Sequence, residues 1–248
     1  MPNHITNLLT ITGDPEKVAA FRAAHIATGE RGPYFSFESV IPKPQCVTDT
    51  ERPFEPGKSF GDATVEIYAR ALLENRQFFV VERIPHAPPT VQRWGDVIEW
   101  LDREYPGVDK WARASLRCAA ETGHPGWYEW SNATWGTKWG AYQYAERSFE
   151  PGRFVFEFQT AWSSPRPIFD ALADHWPELA IHVEAIDEGG GEYEGRYCGA
   201  ARTFGRVDDD VERYRRVYGH DPYSDEDEDD SDPDHGAVTE PGSCTDPR

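Results

Sequence analysis

Residues 4–25 read HITNLLTITGDPEKVAAFRAAH, and this stretch decides the fold class. From His4 to Thr12 the pattern alternates and is β-branched: Ile5, Leu9 and Ile11 share one face, Thr6, Thr10 and Thr12 the other. Gly13 ends that strand. Asp14-Pro15-Glu16 then starts a helix, with an N-cap acid, a proline in the first turn and an acid at the positive helix end. Val18, Phe21 and His25 follow at helical spacing, and Gly29 and Gly32-Pro33 stop the helix. Tyr34 to Ile41 reads as a second strand, closed by Pro42 and Pro44. The chain therefore opens β-α-β.

Further along, residues 45–122 differ in character. Asp62 caps a helix expected to run to Asn75, with Val65, Tyr68 and Leu72 along one side. A second helix is expected from Thr90 to Tyr105, and a third from Val108 to Glu121 carrying Trp111, Ser115 and Ala119. Strands are expected to resume in the tryptophan-dense run Trp127–Trp139. Ala141–Phe149 and Arg153–Trp162 flank the turn Glu150-Pro151-Gly152. Ser164-Pro165 opens a helix through Ile168, Leu172 and Trp176; Leu179–Asp187 and Glu192–Gly199 are strands around Gly189-Gly190-Gly191. A last amphipathic helix, 208–218, ends at Gly219.

Without the middle block the order is β-α-β, then β-β-α-β-β. That is a split β-α-β, ferredoxin-like α+β arrangement: an antiparallel sheet with its helices on one face. The expected division is a discontinuous ferredoxin-like domain at 1–44 and 123–200, a helical insertion at 45–122, a C-terminal helical unit at 201–220, and an acidic tail at 221–248.

Composition bounds the function. The 248 residues carry 44 acids against 25 bases, a net charge of −19. Residues 221–248 hold 11 of those acids and one base, with almost nothing apolar, and read as disordered. The body is still acidic, which disfavours generic nucleic-acid binding, and the negative tail suits a protein partner of basic character. No apolar run approaches a membrane span, and the mean hydropathy is −0.70. Met1–Asn7 has neither a basic nor an apolar leader region, so the cytoplasm is the expected compartment. Cys46, Cys118, Cys198 and Cys244 are scattered without a C-x-x-C, so no metal site, cluster or other cofactor is expected.

Several strings resemble a known family. Met1-Pro2-Asn3, Asn7, Leu9 and Ile11-Thr12-Gly13 look like the start of the YubB/Api92-like proteins. Phe35-Ser36-Phe37 with Val40-Ile41-Pro42-Lys43-Pro44 is similar to their second strand and its exit. Trp135-Gly136-Thr137-Lys138-Trp139 resembles their most specific string, and Phe158–Pro165 and Glu192-Tyr193-Glu194-Gly195 their later segments. The resemblance implies a ferredoxin-like topology and a setting on phages, plasmids and other mobile elements. It implies no iron–sulfur cluster and brings no established activity. Where the family often carries Trp-Cys after the asparagine, His4-Ile5 stand here, so no role of that cysteine is carried over.

The chemistry-bearing candidates are few. Trp135, Lys138 and Trp139 form either a stacking platform with a cation, suited to single-stranded nucleic acid or a nucleotide, or a staple that fixes the insertion to the sheet. Gln159, His182 and Glu184, with Glu157, lie on the outward sheet face. If their strands are neighbours they form a binding, metal or acid–base cluster for a hydrolase or nuclease; otherwise they are a polar sheet face. Asn3 and Asn7 fit hydrogen bonds that fix loop ends. No G-x-S-x-G, H-E-x-x-H or phosphate-binding loop occurs, the glycine triplet is a hairpin, and Asp225–Gly236 fails the EF-hand pattern, so no catalytic residue is assigned. The leading expectation is a non-enzymatic accessory protein of a mobile element, acting through protein–protein contacts.

Overall fold

The computed structural model describes residues 3–51, 103 and 108–220. The helix expected at 62–75, all but residue 103 of that expected at 90–105, and the acidic tail at 221–248 lie outside the described residues.

Strand β1 (His4–Thr12) is followed by α1 (Pro15–His25), as its sequence dictates. Asp14 Oδ1 accepts from the backbone N–H of Glu16 and Lys17 at 3.0 and 3.2 Å, satisfying two donors at the helix start. The chain then forms a small hairpin, β2 (Ile26–Gly29) with β3 (Gly32–Phe35), and a 3-10 turn at Phe37–Ser39. The expected strand over 34–41 is thus corrected. Phe35 faces the core from the end of β3, and Phe37 and Val40 from a turn capped by Ser36, all outside the main sheet.

Short α2 (Gln45–Thr48) and α3 (Val108–Thr122) bring Cys46, Val47 and Cys118 into the same core as the sheet. The tryptophan-dense run is a second correction: Trp127–Thr134 is helix α4, not strand. Strands β4 (Tyr142–Glu150) and β5 (Arg153–Ala161) flank the expected turn, where Gly152 takes φ +79°. Helix α5 (Arg166–His175) leads to β6 (Ala180–Asp187) and β7 (Glu192–Cys198). A third correction comes next: Ala201–Val207 is strand β8, where the C-terminal helical unit was placed, and α6 covers only Val211–Tyr218.

The main sheet runs β4-β5-β1-β6-β7-β8, with antiparallel pairing throughout. Its first four strands have the ferredoxin-like order, and β7 and β8 extend the β6 edge. The partner strand of the first β-α-β is therefore β4, more than a hundred residues downstream of α1.

One face is covered by α1 and α5: Val18 and Phe21, with Ile168, Phe169 and Leu172, meet Leu9, Ile11, Phe154, Phe156, Phe158, Ile181 and Val183. At about 1.5–3 kcal/mol per buried apolar side chain, this layer is the main source of stability. The expectation of helices on one face holds for these two. Helix α6 departs from it and lies on the opposite face, where Val217 packs on Leu8, Val155 and Ile186.

Candidate functional site

Trp135 is set by α4 and the turn behind it. It is 2% exposed, and its indole Nε1 donates to the Ile41 carbonyl at 3.0 Å. It meets Trp130 and Phe37 edge-on at centroid distances of 5.2 and 5.7 Å, and the Lys43 ammonium sits 4.7 Å from its ring centre. No ring face is left for a ligand to stack on. Trp135 packs in the core between Phe37, Ile41 and Trp130.

The following residues anchor the loop. Gly136 has φ +78°, and a Cβ there would lie 2.6 Å from Pro167 Cδ, so both the backbone and the space require glycine. Buried Thr137 donates from Oγ1 to the Ala161 carbonyl at 2.7 Å, and Ser163 donates from Oγ to the Gly136 carbonyl at 2.5 Å. The loop is thereby fastened to the end of β5.

Lys138 and Trp139 then turn toward a cleft of about 530 Å³. Its walls come from three places: Trp111 and Ser115 of α3, Trp127, Tyr128 and Glu129 of α4, and Lys138 and Trp139 of the loop. Trp111 is fixed by donation from Nε1 to the Thr50 carbonyl at 3.2 Å, and the Trp127 N–H donates to Thr50 Oγ1 at 2.9 Å. Tyr128 is 47% exposed, while Trp111, Trp127 and Trp139 are half-buried and Trp127 packs against the core. Lys138 Nζ lies 4.8 Å from the Trp139 ring centre and 5.9 Å from that of Tyr128. Trp111, Trp127 and Tyr128 were not assigned from sequence; the adjacent aromatics at 127–128 were the available signal.

Beyond the cleft, Trp139 leads to one end of the sheet. Trp139 stands 6.4 Å from Tyr142, whose hydroxyl is 2.6 Å from His4 Nδ1. His4 pairs with Ala161, and the next residue, Trp162, is 54% exposed. Among the described residues, Gln143 and Trp162 are the non-glycine positions with positive φ, at +52° and +74°. Gln143 also sits in a register break of β4 between Tyr142 and Ala145. Backbone strain of this kind costs about 1–3 kcal/mol per residue and concentrates where function over-determines the structure.

The outward face is a different matter. Strand β1 runs between β5 and β6, and Leu8 is the register partner of both Glu157 and Glu184, so these carboxylates are not neighbours. Glu157 pairs with Arg147 at 2.5 Å, and Gln159 donates weakly to Thr6 Oγ1 at 3.5 Å. Buried Glu184 receives Arg216 Nε at 2.9 and 3.1 Å and lies 3.9 Å from Arg213 Nε. His182 Nε2 is 3.0 Å from Glu194 Oε1; the hydrogen bond from Arg196, then that from His182, hold the Glu194 carboxyl below its usual range. Arg213 also pairs with Glu192. These charges bind α6 to the sheet. Among the described residues, no group of three or more His, Cys, Asp or Glu is placed to hold a metal ion.

Asn7 is wholly buried. Its amide donates to the Ile5 carbonyl at 3.1 Å and Thr160 Oγ1 at 3.0 Å, and its carbonyl oxygen accepts from Ser164 Oγ at 2.8 Å. Asn3 donates to Asp187, and its own carbonyl accepts from the Trp162 N–H at 2.9 Å. Both asparagines fix loop ends.

Residues 138–232 match the family model for the ferredoxin-like domain in Api92-like protein. Over this stretch the chain resembles Api92-like proteins. The Api92-like region begins at Lys138, within the candidate site, and contains β4 to β8; β1 and α1, which complete the same sheet, precede it. A crystal structure of a protein api92 from Yersinia pseudotuberculosis aligns with 85% of this chain and 99% of its own, at 11% identity and a TM-score of 0.41. That superposition is too loose to bear on the site. No curated protein matches the chain. Among the described residues, no helix is long and apolar enough to cross a membrane.

Proposed function

We propose that this chain is a non-enzymatic accessory protein of a mobile element, working in the cytoplasm through protein–protein contacts. The cleft bounded by Tyr128 and Trp139 is its contact site, and the partner presents a basic segment. One observation carries this reading: exposed Tyr128 and half-buried Trp139 line a cleft of about 530 Å³ on a chain of net charge −19. Partly exposed tyrosine and tryptophan in a pocket are the usual anchors of protein interfaces, and the acidic body selects against anionic partners. The mobile-element setting rests on the resemblance to Api92-like proteins.

Affinity capture by the full chain, run beside Tyr128→Ala and Trp139→Ala, tests the proposal. A basic protein retained by the native chain and lost from both variants is expected. Retention unaffected by either substitution overturns the assignment of the cleft, and substrate turnover by the purified chain overturns the non-enzymatic role.

Lys138 beside Trp139 also supports a second reading, a nucleotide or single-stranded nucleic-acid site. The burial of Trp135 removes the second ring that such a platform would use.

A further inference from the structure

The cleft already contains a cation. Lys138 Nζ lies 4.8 Å from the Trp139 ring centre and 5.9 Å from Tyr128, and Tyr128 stands edge-on to Trp127 at 5.8 Å and 86°. Exposed Glu129 adds a negative charge to the lining. Ring faces attract a cation through their quadrupole, the more so when it is desolvated. An ammonium on a flexible four-carbon stem is strongly hydrated and is held only loosely by such a site. Guanidinium and alkylated ammonium groups are more weakly hydrated and stack better on rings. The cleft, at about 530 Å³, has far more room than one ammonium fills.

We infer that the cleft beside Trp139 is a receptor for a cationic side chain of the partner, an arginine or a methylated lysine, with Lys138 as a resident competitor that the incoming cation displaces. This rests on the protein-contact reading and goes beyond it by fixing the chemical group received and the role of Lys138.

An anion or nucleotide site would use Lys138 as the attracting charge, so the sign of a Lys138 substitution separates the two. The full chain is titrated with tetramethylammonium chloride and with N-acetyl-arginine amide, using sodium chloride as the ionic-strength control. The indole N–H signals of Trp127 and Trp139 are followed by NMR. Lys138→Met is expected to tighten binding of both probes about three- to tenfold, the scale of one exposed cation–π contact plus the removed like charge. Tyr128→Ala and Trp139→Ala are each expected to weaken it tenfold or more. Tyr128 is exposed, so its truncation keeps the test sound if Trp139→Ala perturbs folding.

Lys138→Met binding that is unchanged or weaker overturns the inference. So does failure of both probes to shift either indole. A nucleotide or oligonucleotide that moves these signals in the native chain and not in Lys138→Met also overturns it. Protein capture abolished by Trp139→Ala alongside silent probes would sink the cation site while leaving the contact reading in place.

Discussion

Asn7 shows how one buried polar side chain ties sequence-distant segments together. It lies on the core face of β1, and its amide binds β5 and the loop that opens α5. Truncation removes the donor to buried Thr160 Oγ1 and the acceptor of half-buried Ser164 Oγ, so Asn7→Ala is expected to destabilise the fold by about 1–3 kcal/mol, read by urea unfolding. His25 is equally constrained. Trp176 Nε1 donates to its Nε2 at 2.9 Å, which leaves the proton on Nδ1, 2.8 Å from Ser39 Oγ; that hydroxyl in turn donates to the Ser36 carbonyl at 2.6 Å. Burial, helped by His175, pushes the imidazole down from 6.5 to about 4. Its contribution is therefore full above pH 6.5. As pH falls the unfolded chain takes up a proton that the folded chain refuses. About 3 kcal/mol is expected to be lost by the point near pH 4 where folded His25 also protonates. Stability measured from pH 7 to 4 checks this, with His25→Gln expected to flatten that part of the curve.

Among the elements, α6 is held by charge as much as by apolar contact. Arg213 is nearly buried between Glu192, which it pairs with directly, and Glu184 and Glu194, at 3.9 and 3.8 Å. Glu184 keeps Arg216 and Glu194 keeps Arg196, but removing Arg213 leaves buried Glu192 without its cation. Arg213→Ala is expected to cost about 3–5 kcal/mol and to free α6 from Leu8, Val155 and Ile186. Thermal unfolding, with amide exchange of residues 211–218, reads both effects; an unchanged midpoint would show that α6 is held by Val217 alone. Elements with a local signal were legible in the sequence: β1, β5 and β6 announce themselves by alternation, β7 by the glycine turn before it, and α1 by its Asp14 cap. Strand β8 did not, because its residues are exposed or half-buried and it has two arginines and a glycine, with no apolar face to alternate. The run at 34–41 alternates like a strand, yet the capping of Ser39 N–H by Ser36 Oγ turns it into a 3-10 segment.

For the whole molecule, net charge sets the terms of association. A chain at −19 that takes a basic partner is expected to bind less tightly as salt rises, since the attraction acts across about one Debye length, ~8 Å at physiological ionic strength. Capture repeated from 50 to 500 mM sodium chloride reads this, and retention independent of salt would assign the contact to apolar burial alone. The sequence by itself determined the charge, the one-sided strands and their caps, because these are set by neighbours within a few residues. It also marked Lys138 and Trp139. Only the tertiary structure decided that β1 separates β5 from β6, which parts Glu157 from Glu184, and that α3, α4 and the loop after them bring Trp111, Tyr128 and Trp139 around one cleft. The physical reason is the same in both cases: which distant segments meet is fixed by how the apolar faces share a single core, and no local pattern of residues encodes that pairing.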